Sequence, residues 1–341
     1  MTGIEGGPAA TATPWPTAGR RARLHVVSGK GGTGKTTVAA ALALALATDG
    51  RRVLLVEVEE RQGIARLFDV PPLPYEERKI AVAPGGGEVR ALAVDVEAAL
   101  LEYFELFYNL GFAGRTLKRM GAVEFATTLA PGLRDVLLTG KTKETVTRLG
   151  GDNRPVYDSV VMDAPPTGRI TTFLNVTVAM ADLARRGPIR NQADGVVGLL
   201  HSDDTLVHLV TLLEDMPVTE TIEAVDQLRA AGLPVGTVIV NAATDPKLAA
   251  ASLAAAAEGR LDLDRLAVGL VEAGIDPEPA LLAGLARQAE DHAVRVLAER
   301  ECRERLAATG VPLLQLPRLV DGADLGGVYE LADRLAEQGV R

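Results

Sequence analysis

The stretch that decides the fold is Ser28-Gly29-Lys30-Gly31-Gly32-Thr33-Gly34-Lys35-Thr36-Thr37, which fits the pattern G-x-x-x-x-G-K-[ST]. The apolar run before it, residues 24–28, predicts a buried β-strand, and residues 35–49 after it predict a helix. Glycines in such a loop let consecutive backbone N–H groups point at phosphate oxygens, with the positive end of the helix dipole behind them. The sequence therefore predicts a phosphate-binding loop at the start of an α/β domain.

The residues of this loop are expected to hold ATP and Mg²⁺. We expect the Lys35 ammonium group to reach the β and γ phosphates and the Thr36 hydroxyl to ligate Mg²⁺. A glycine-rich turn without a ligand is the alternative, and the strand before the loop and the helix after it disfavour that alternative. The expected nucleotide-binding residues of the loop are Gly29, Lys30, Gly31, Gly32, Thr33, Gly34, Lys35, Thr36 and Thr37.

Runs of β-branched and apolar residues predict further strands along the chain. Several of these runs are almost continuously apolar, which is typical of strands that are buried on both faces of a mainly parallel sheet. We therefore predict an α/β P-loop NTPase fold, with a mainly parallel sheet flanked by helices. The predicted strands lie at residues 53–58, 89–94, 158–162, 205–213, 235–240 and 311–316.

The chain of 341 residues is long enough for two domains, or for one large α/β domain with inserted helices. We interpret residues 21–341 as one ATPase domain. Residues 1–20, rich in Gly, Ala, Pro and Thr, are expected to form a disordered tail. Residues 96–155 and 175–200 have helical spacing without a strand pattern, so we expect a helical insertion subdomain there.

Most of the aromatic residues of the chain fall in the first of these insertions. They form either the core of the insertion, as aromatic residues at helical spacing usually do, or a partly exposed apolar face for a partner or client protein. The cluster consists of Tyr103, Phe104, Phe107, Tyr108, Phe112 and Phe125.

A second motif, Asp163-Ala164-Pro165-Pro166-Thr167-Gly168-Arg169, follows a β-branched strand. The strand brings Asp163 to its carboxyl end, where open α/β sheets bind ligands. Asp163 is therefore expected to hold Mg²⁺ through water. The turn after it is expected to respond to the γ-phosphate, and we call residues 163–169 the second switch segment.

The second lysine in the loop, Lys30, makes Lys-Gly-Gly-Thr-Gly-Lys-Thr-Thr resemble the deviant Walker A signature of the arsenite-pump, MinD, ParA and nitrogenase-iron-protein group of ATPases. This resemblance implies that Lys30 crosses a dimer interface to the nucleotide of the partner chain, where a cation offsets charge that develops on the phosphates. It therefore implies a homodimer or a heterodimer with a paralogous ATPase. A solvated loop lysine is the alternative.

The second switch segment resembles the Asp-Thr-Ala-Pro-Thr-Gly-His stretch of the arsenite-pump ATPase and of the ATPase that targets tail-anchored membrane proteins. Arg169 stands at the histidine position. The overall pattern is most similar to the actinobacterial anion-transporting-ATPase-like branch of this family. Membrane-protein targeting would rest on this analogy alone.

Residues 56–63, the first switch segment, contain Glu59 where the relatives have the aspartate that orients the attacking water. The resemblance thus implies a catalytic role for Glu59, beside Lys30, Lys35 and Asp163. The longer side chain moves the carboxylate by roughly an ångström, a displacement that can cost about a hundredfold in rate. Slow hydrolysis or a residue supplied by a partner therefore stays open, as does a simple surface role for Glu59.

Two segments near the carboxyl end resemble the family's adenine site. Asn241 ends a strand with an amide that is expected to bind the adenine edge, and residues 315–322 resemble the proline-containing adenine loop. The resemblance implies that Pro317 and Leu319 contact the base.

Composition excludes several classes of protein. With 36 Lys and Arg against 45 Asp and Glu, the net charge is −9. This charge argues against a protein whose main role is to coat nucleic acid or anionic lipid. The single cysteine, Cys302, excludes an internal disulfide and a multi-cysteine zinc, iron–sulfur or metalloid site within one chain. No stretch has the pattern of a signal peptide or a membrane span, so we expect a cytoplasmic protein without stable membrane insertion.

The leading hypothesis is a dimeric, Mg²⁺-dependent ATPase whose nucleotide state controls a surface that binds a client or partner protein. The alternative is a scaffold subunit that binds ATP with little hydrolysis of its own and acts with a paralogous ATPase. The departures at Glu59 and Arg169 favour the alternative.

Overall fold

A computed structural model describes residues 15–108, 132–183, 188–320 and 322–341. Within these ranges, eight strands form one sheet, parallel throughout except for its third strand, which pairs antiparallel with the fourth. The strands are β1 (Leu24–Gly29), β2 (Arg52–Glu57), β3 (Arg78–Val82), β4 (Glu88–Ala93), β5 (Ser159–Asp163), β6 (Thr205–Thr211), β7 (Val235–Ala243) and β8 (Leu313–Pro317). The order β3-β4-β2-β5-β1-β6-β7-β8 confirms the predicted mainly parallel α/β fold.

Helices cover both faces of this sheet. They are α1 (Thr17–Arg21), α2 (Lys35–Leu46), α3 (Gly63–Leu67), α4 (Val96–Tyr108), α5 (Leu133–Thr147), α6 (Thr167–Leu183), α7 (Pro188–Leu200), α8 (Asp215–Ala230), α9 (Ala250–Ala257), α10 (Leu263–Glu272), α11 (Pro279–Ala307) and α12 (Leu325–Glu337). One hydrophobic core joins the sheet to α2 and α12, and a second core joins its other face to helices that include α4 to α8. None of the helices described is both long and apolar enough to cross a membrane.

The stretches predicted as insertions are largely helical where the structure describes them, except for residues 148–155. Residues 96–155 contain α4 and α5, followed by an isolated bridge between Leu149 and Pro155. The expected start of the second stretch, residue 175, falls inside α6, which begins at Thr167. The side chains of Tyr103, Phe104, Phe107 and Tyr108, and all of Phe112 and Phe125, lie outside the described residues. Both interpretations of the aromatic cluster therefore stay predictions.

The expectation of a disordered tail up to residue 20 is wrong for its last residues. Trp15 is 3% exposed and stacks on His208, and α1 follows directly. The Trp15 backbone N–H also donates to the carbonyl of Gln338 at 3.0 Å. A single large aromatic ring buries enough apolar surface to hold a short segment against the domain. Residues 1–14 lie outside the described part of the chain.

Strand β3 was not expected from the sequence. It lies at the edge of the sheet, begins with Arg78 and Lys79, and has an irregular register between Lys79 and Ala81. Charged residues and irregular pairing are common at sheet edges, where they block pairing with other chains. These features also remove the apolar run by which the other strands are recognised.

Candidate functional site

The loop between β1 and α2 has the backbone that its glycines permit. Gly32 and Gly34 have φ angles of 90° and 86°, in the left-handed region that side chains disfavour. Gly29 lies so close to β6 that a Cβ atom there would be 2.2 Å from the Val210 carbonyl oxygen. The Ser28 hydroxyl donates to the Pro165 carbonyl at 2.6 Å and joins the loop to the second switch segment.

The loop is open on the side where phosphates are expected. Apart from the glycine and its two chain neighbours, no heavy atom of the described residues lies within 4 Å of the position that a Cβ would occupy on Gly31 or Gly32. Lys35 is 8% exposed, and its ammonium group makes no hydrogen bond or ion pair with the residues that the structure describes. A buried cation at the start of a helix, with no partner among the described residues, fits an anionic ligand.

Thr36 and Asp163 meet beside this loop. The Thr36 hydroxyl donates to Asp163 Oδ2 at 2.6 Å, and Asp163 Oδ1 is buried without a hydrogen-bond partner in the part of the chain that the structure describes. Burial raises the pKa of Asp163 to about 6, while the Thr36 hydrogen bond and the Lys35 charge act in the opposite direction. A hydroxyl and a carboxylate are the hard oxygen ligands that Mg²⁺ prefers, so the two side chains fit that ion.

The described residues contain no cluster of three or more His, Cys, Asp or Glu side chains able to hold a metal ion. Mg²⁺ commonly keeps several waters and takes one or two protein ligands with the substrate phosphates. The pair of Thr36 and Asp163 therefore matches a metal ion that arrives with a nucleotide rather than one held permanently by protein.

Glu57 is a buried acid beside the site that sequence analysis missed. It ends β2 directly across from Asp163 in the parallel register and is 2% exposed. Its carboxylate accepts hydrogen bonds from the backbone N–H groups of Gly63 at 3.0 Å and Ile64 at 3.4 Å. The available signal was an acidic residue at the carboxyl end of an otherwise apolar strand.

The first switch segment passes directly over Thr36. A Cβ on Gly63 would lie 3.1 Å from Thr36 Cγ2. Glu59 is partly buried, with Arg61 at 3.6 Å, and its charge also raises the pKa of Asp163, after the larger effect of burial. Glu59 therefore lies within electrostatic reach of the predicted Mg²⁺ ligand, and its catalytic role stays a prediction.

Lys30 is paired within its own chain. Its ammonium group lies 2.5 Å from the carboxylate of Glu220 on α8, and both side chains are about one-third exposed. The sequence did not predict this partner. Contact of Lys30 with a second chain stays a prediction, since the structure describes one chain.

The predicted adenine-binding residues lie next to the loop or at the ends of neighbouring strands. The Asn241 amide nitrogen donates to the Thr33 carbonyl at 2.9 Å, so this side chain braces the loop. Pro317 ends β8, and the following backbone N–H, of Arg318, donates to the Ala243 carbonyl at 3.2 Å. Leu319 packs near Gly327. Contact of these three residues with adenine stays a prediction.

A cavity of about 640 Å³ lies beside Arg318. It is bounded by the start of α8, by the middle of α11 and by Leu213 after β6. Cys302 is on its wall, and burial raises the pKa of that thiol. An inert structural thiol is consistent with this environment.

A strand, a glycine-rich loop with a buried lysine and a threonine–aspartate pair define a phosphate-loop nucleotide-binding protein. The chain belongs to the anion-transporting ATPase family, whose model matches residues 22–200. It is 59% identical over 327 residues to ATPase BagA of Mycobacterium tuberculosis strain H37Rv, covering 96% of each chain. It is 28% identical over 180 residues to ATPase get3 of Schizosaccharomyces japonicus, covering 50% of this chain and 52% of that protein.

A further relative is ATPase GET3 of Chaetomium globosum, 28% identical over 208 residues that cover 60% of this chain and 58% of that protein. These similarities confirm the family that the sequence motifs indicated. The high identity to a mycobacterial ATPase over almost the whole chain agrees with the actinobacterial branch.

Proposed function

We propose that this protein is a Mg²⁺-dependent ATPase that works as a dimeric switch, with its nucleotide state controlling the binding of a client or partner protein. The observation that carries the proposal is the 2.6 Å hydrogen bond from Thr36 to the buried carboxylate of Asp163, beside the ammonium group of Lys35, which pairs with none of the residues that the structure describes. The three groups provide a cation for phosphate and two oxygens for a divalent ion.

In this proposal the site residues have the following roles. The loop N–H groups and Lys35 bind the β and γ phosphates, while Thr36 ligates Mg²⁺ and Asp163 holds it through water. Mg²⁺, when bound, neutralises charge that develops on the transferred phosphoryl group. Glu59 orients the attacking water. Asn241 fixes the loop through Thr33, and with Pro317 and Leu319 it contacts the adenine.

Two chains complete the site in this proposal. Lys30 leaves Glu220 and reaches the nucleotide of the partner chain, in a homodimer or in a heterodimer with a paralogous ATPase. A cation placed on the developing charge lowers the barrier only when it is positioned in advance, so dimer closure and hydrolysis become coupled. The client or partner binds at the helices between β4 and β5.

A second candidate is an ATP-binding scaffold with little hydrolysis of its own. It is favoured by the position of Glu59, which lies 3.6 Å from the Arg61 guanidinium, and by the arginine at position 169. In that case the ion pair holds the Glu59 carboxylate toward Arg61 instead of toward an attacking water molecule. In this case a paralogous chain supplies the turnover.

Phosphate release measured with Mg²⁺ and ATP tests the proposal. We expect Lys35→Ala and Lys30→Ala to lower turnover by about a hundredfold or more, the usual effect of removing one preorganised charge-stabilising group. Lys247→Ala serves as the control, because this exposed lysine pairs only with Asp245 among the described residues. Equal turnover in all four proteins contradicts the proposal. ATP binding without phosphate release, restored by a second chain, selects the scaffold.

A further inference from the structure

The first turn of α5 contacts both switch segments through neighbouring residues of opposite charge. Arg134 lies 3.2 Å from the carboxylate of Glu60, next to Glu59 in the first switch segment. Asp135 lies 3.6 Å from the guanidinium of Arg169 in the second switch segment. One turn of one helix therefore touches both segments that border Thr36 and Asp163.

The first switch segment has a backbone under strain at its contact with α5. Glu60 and Gln62 both have φ angles of 54°, in the left-handed region that residues with side chains rarely adopt. The Gln62 side chain holds this shape by exchanging hydrogen bonds with the backbone of Leu73, at 2.7 and 3.1 Å. Such strain persists only where the surroundings fix it, and it is common in segments that change conformation.

The contact with the second switch segment is partly buried. The Asp135 side chain is 13% exposed, and Arg169, at 62%, is mostly in solvent. Burial raises the pKa of Asp135, and the charges of Arg169 and Arg134 oppose that shift. A partly buried carboxylate that depends on two cations is sensitive to the removal of either one.

Charged side chains further along the chain connect the other end of α5 to α4 and to Glu77. Lys141 binds both carboxylate oxygens of Glu102 on α4, at 2.9 and 3.1 Å. Arg148, the residue after α5, pairs with Glu77, which also accepts a hydrogen bond from the Tyr157 hydroxyl at 2.6 Å. The contact between Lys141 and Glu102 therefore connects α5 to α4, the helix that begins the predicted insertion.

We propose that Arg134 and Asp135 are positioning residues that link the two switch segments to the helices between β4 and β5. This inference rests on the proposed function and names the contacts by which the nucleotide site moves those helices. While both ion pairs stay closed, a movement of either switch segment on binding of ATP and Mg²⁺ carries the first turn of α5 with it.

The test is amide hydrogen exchange of α5 and α4, with and without ATP and Mg²⁺, in the full chain. The variants are Arg134→Glu, Glu60→Arg and the double variant that exchanges the two charges. Arg154→Glu controls for the change in net charge, because the Arg154 side chain is exposed and forms no ion pair with described residues. ATP affinity, measured in parallel, separates this inference from the proposed function.

We expect the wild-type protein and Arg154→Glu to show a nucleotide-dependent change in the exchange of α5. Each single variant should bind ATP within about twofold of wild type and lose at least half of that change, and the charge exchange should restore it. Single variants with the full wild-type change overturn the inference, as does a wild-type protein that binds ATP without any change in α5. A wild-type protein that binds no ATP overturns the proposed function as well.

Discussion

The ammonium group of Lys30 and the carboxylate of Glu220, 190 residues apart in the sequence, form an ion pair of 2.5 Å within one chain. The family resemblance gives Lys30 a place on the nucleotide of a second chain. The ion pair and the proposed contact with a second chain are compatible if Glu220 holds Lys30 in a resting position and dimer closure breaks the ion pair.

The first prediction concerns Glu220→Gln. This change removes the charge that retains Lys30, so we expect ATP-dependent dimerisation at a lower protein concentration. An exposed ion pair contributes up to about 1 kcal/mol, which limits the shift to about fivefold. Sedimentation velocity with ATP and Mg²⁺ measures it. The control is Glu223→Gln, an exposed acid on the same helix. Weaker dimerisation of Glu220→Gln shows instead that Glu220 stabilises the interface.

The second prediction concerns stability and Asp163. Burial raises its pKa to about 6 from an ordinary value of about 3.9, so the folded protein holds this proton more tightly than the unfolded chain does. The contribution of Asp163 to the free energy of unfolding therefore falls as the pH rises from about 4 to about 6, and stays lower above that. Two pKa units correspond to about 3 kcal/mol.

Asp163→Asn removes this cost along with the proposed metal ligand. We expect the variant, without nucleotide, to exceed wild type in free energy of unfolding by up to about 3 kcal/mol at pH 7.5, and by less at pH 5. Urea unfolding at both pH values measures the difference between the two proteins. The comparison cancels other groups such as His25, whose burial lowers its pKa to about 4. A less stable variant at pH 7.5 contradicts the prediction.

The third prediction concerns Trp15. The ring is 3% exposed and stacks on His208, with a centroid distance of 5.2 Å. Trp15→Ala leaves an unfilled space and should lower the free energy of unfolding by about 3 kcal/mol, whereas Trp15→Phe should cost less. Urea unfolding followed by circular dichroism gives both values. A cost below about 0.5 kcal/mol for Trp15→Ala would show that this segment contributes no packing energy.

The features that sequence analysis predicted depend on local pattern. The strands that contain Val26, Val160 and Ile239 are apolar on both faces, and this composition alone marks them as central parallel strands. The loop motif likewise sets Thr36 at the first turn of a helix. The edge strand β3 has no such pattern, since charged residues suit an edge.

The features that were missed depend on contacts across the fold. Glu220 approaches Lys30 only because α8 packs beside β6 and β7, and nothing near either residue in the sequence marks the pair. Arg134 and Asp135 lie in a helix of ordinary composition. Their possible role can be recognised only from their contacts with Glu60 and Arg169 in the two switch segments. Trp15 is recognisable as a buried residue only once His25 and His208 are known to be neighbours.

We propose that Lys35 and the pair of Thr36 and Asp163 bind ATP together with Mg²⁺. Titration calorimetry of the full chain with ATP, in Mg²⁺ and in EDTA, tests it most directly, with Lys35→Ala and Lys247→Ala as variant and control. We predict binding that Mg²⁺ strengthens, that Lys35→Ala weakens by about a hundredfold, and that Lys247→Ala leaves unchanged. Wild-type protein that binds no ATP, or that binds it equally well after Lys35→Ala, contradicts the account.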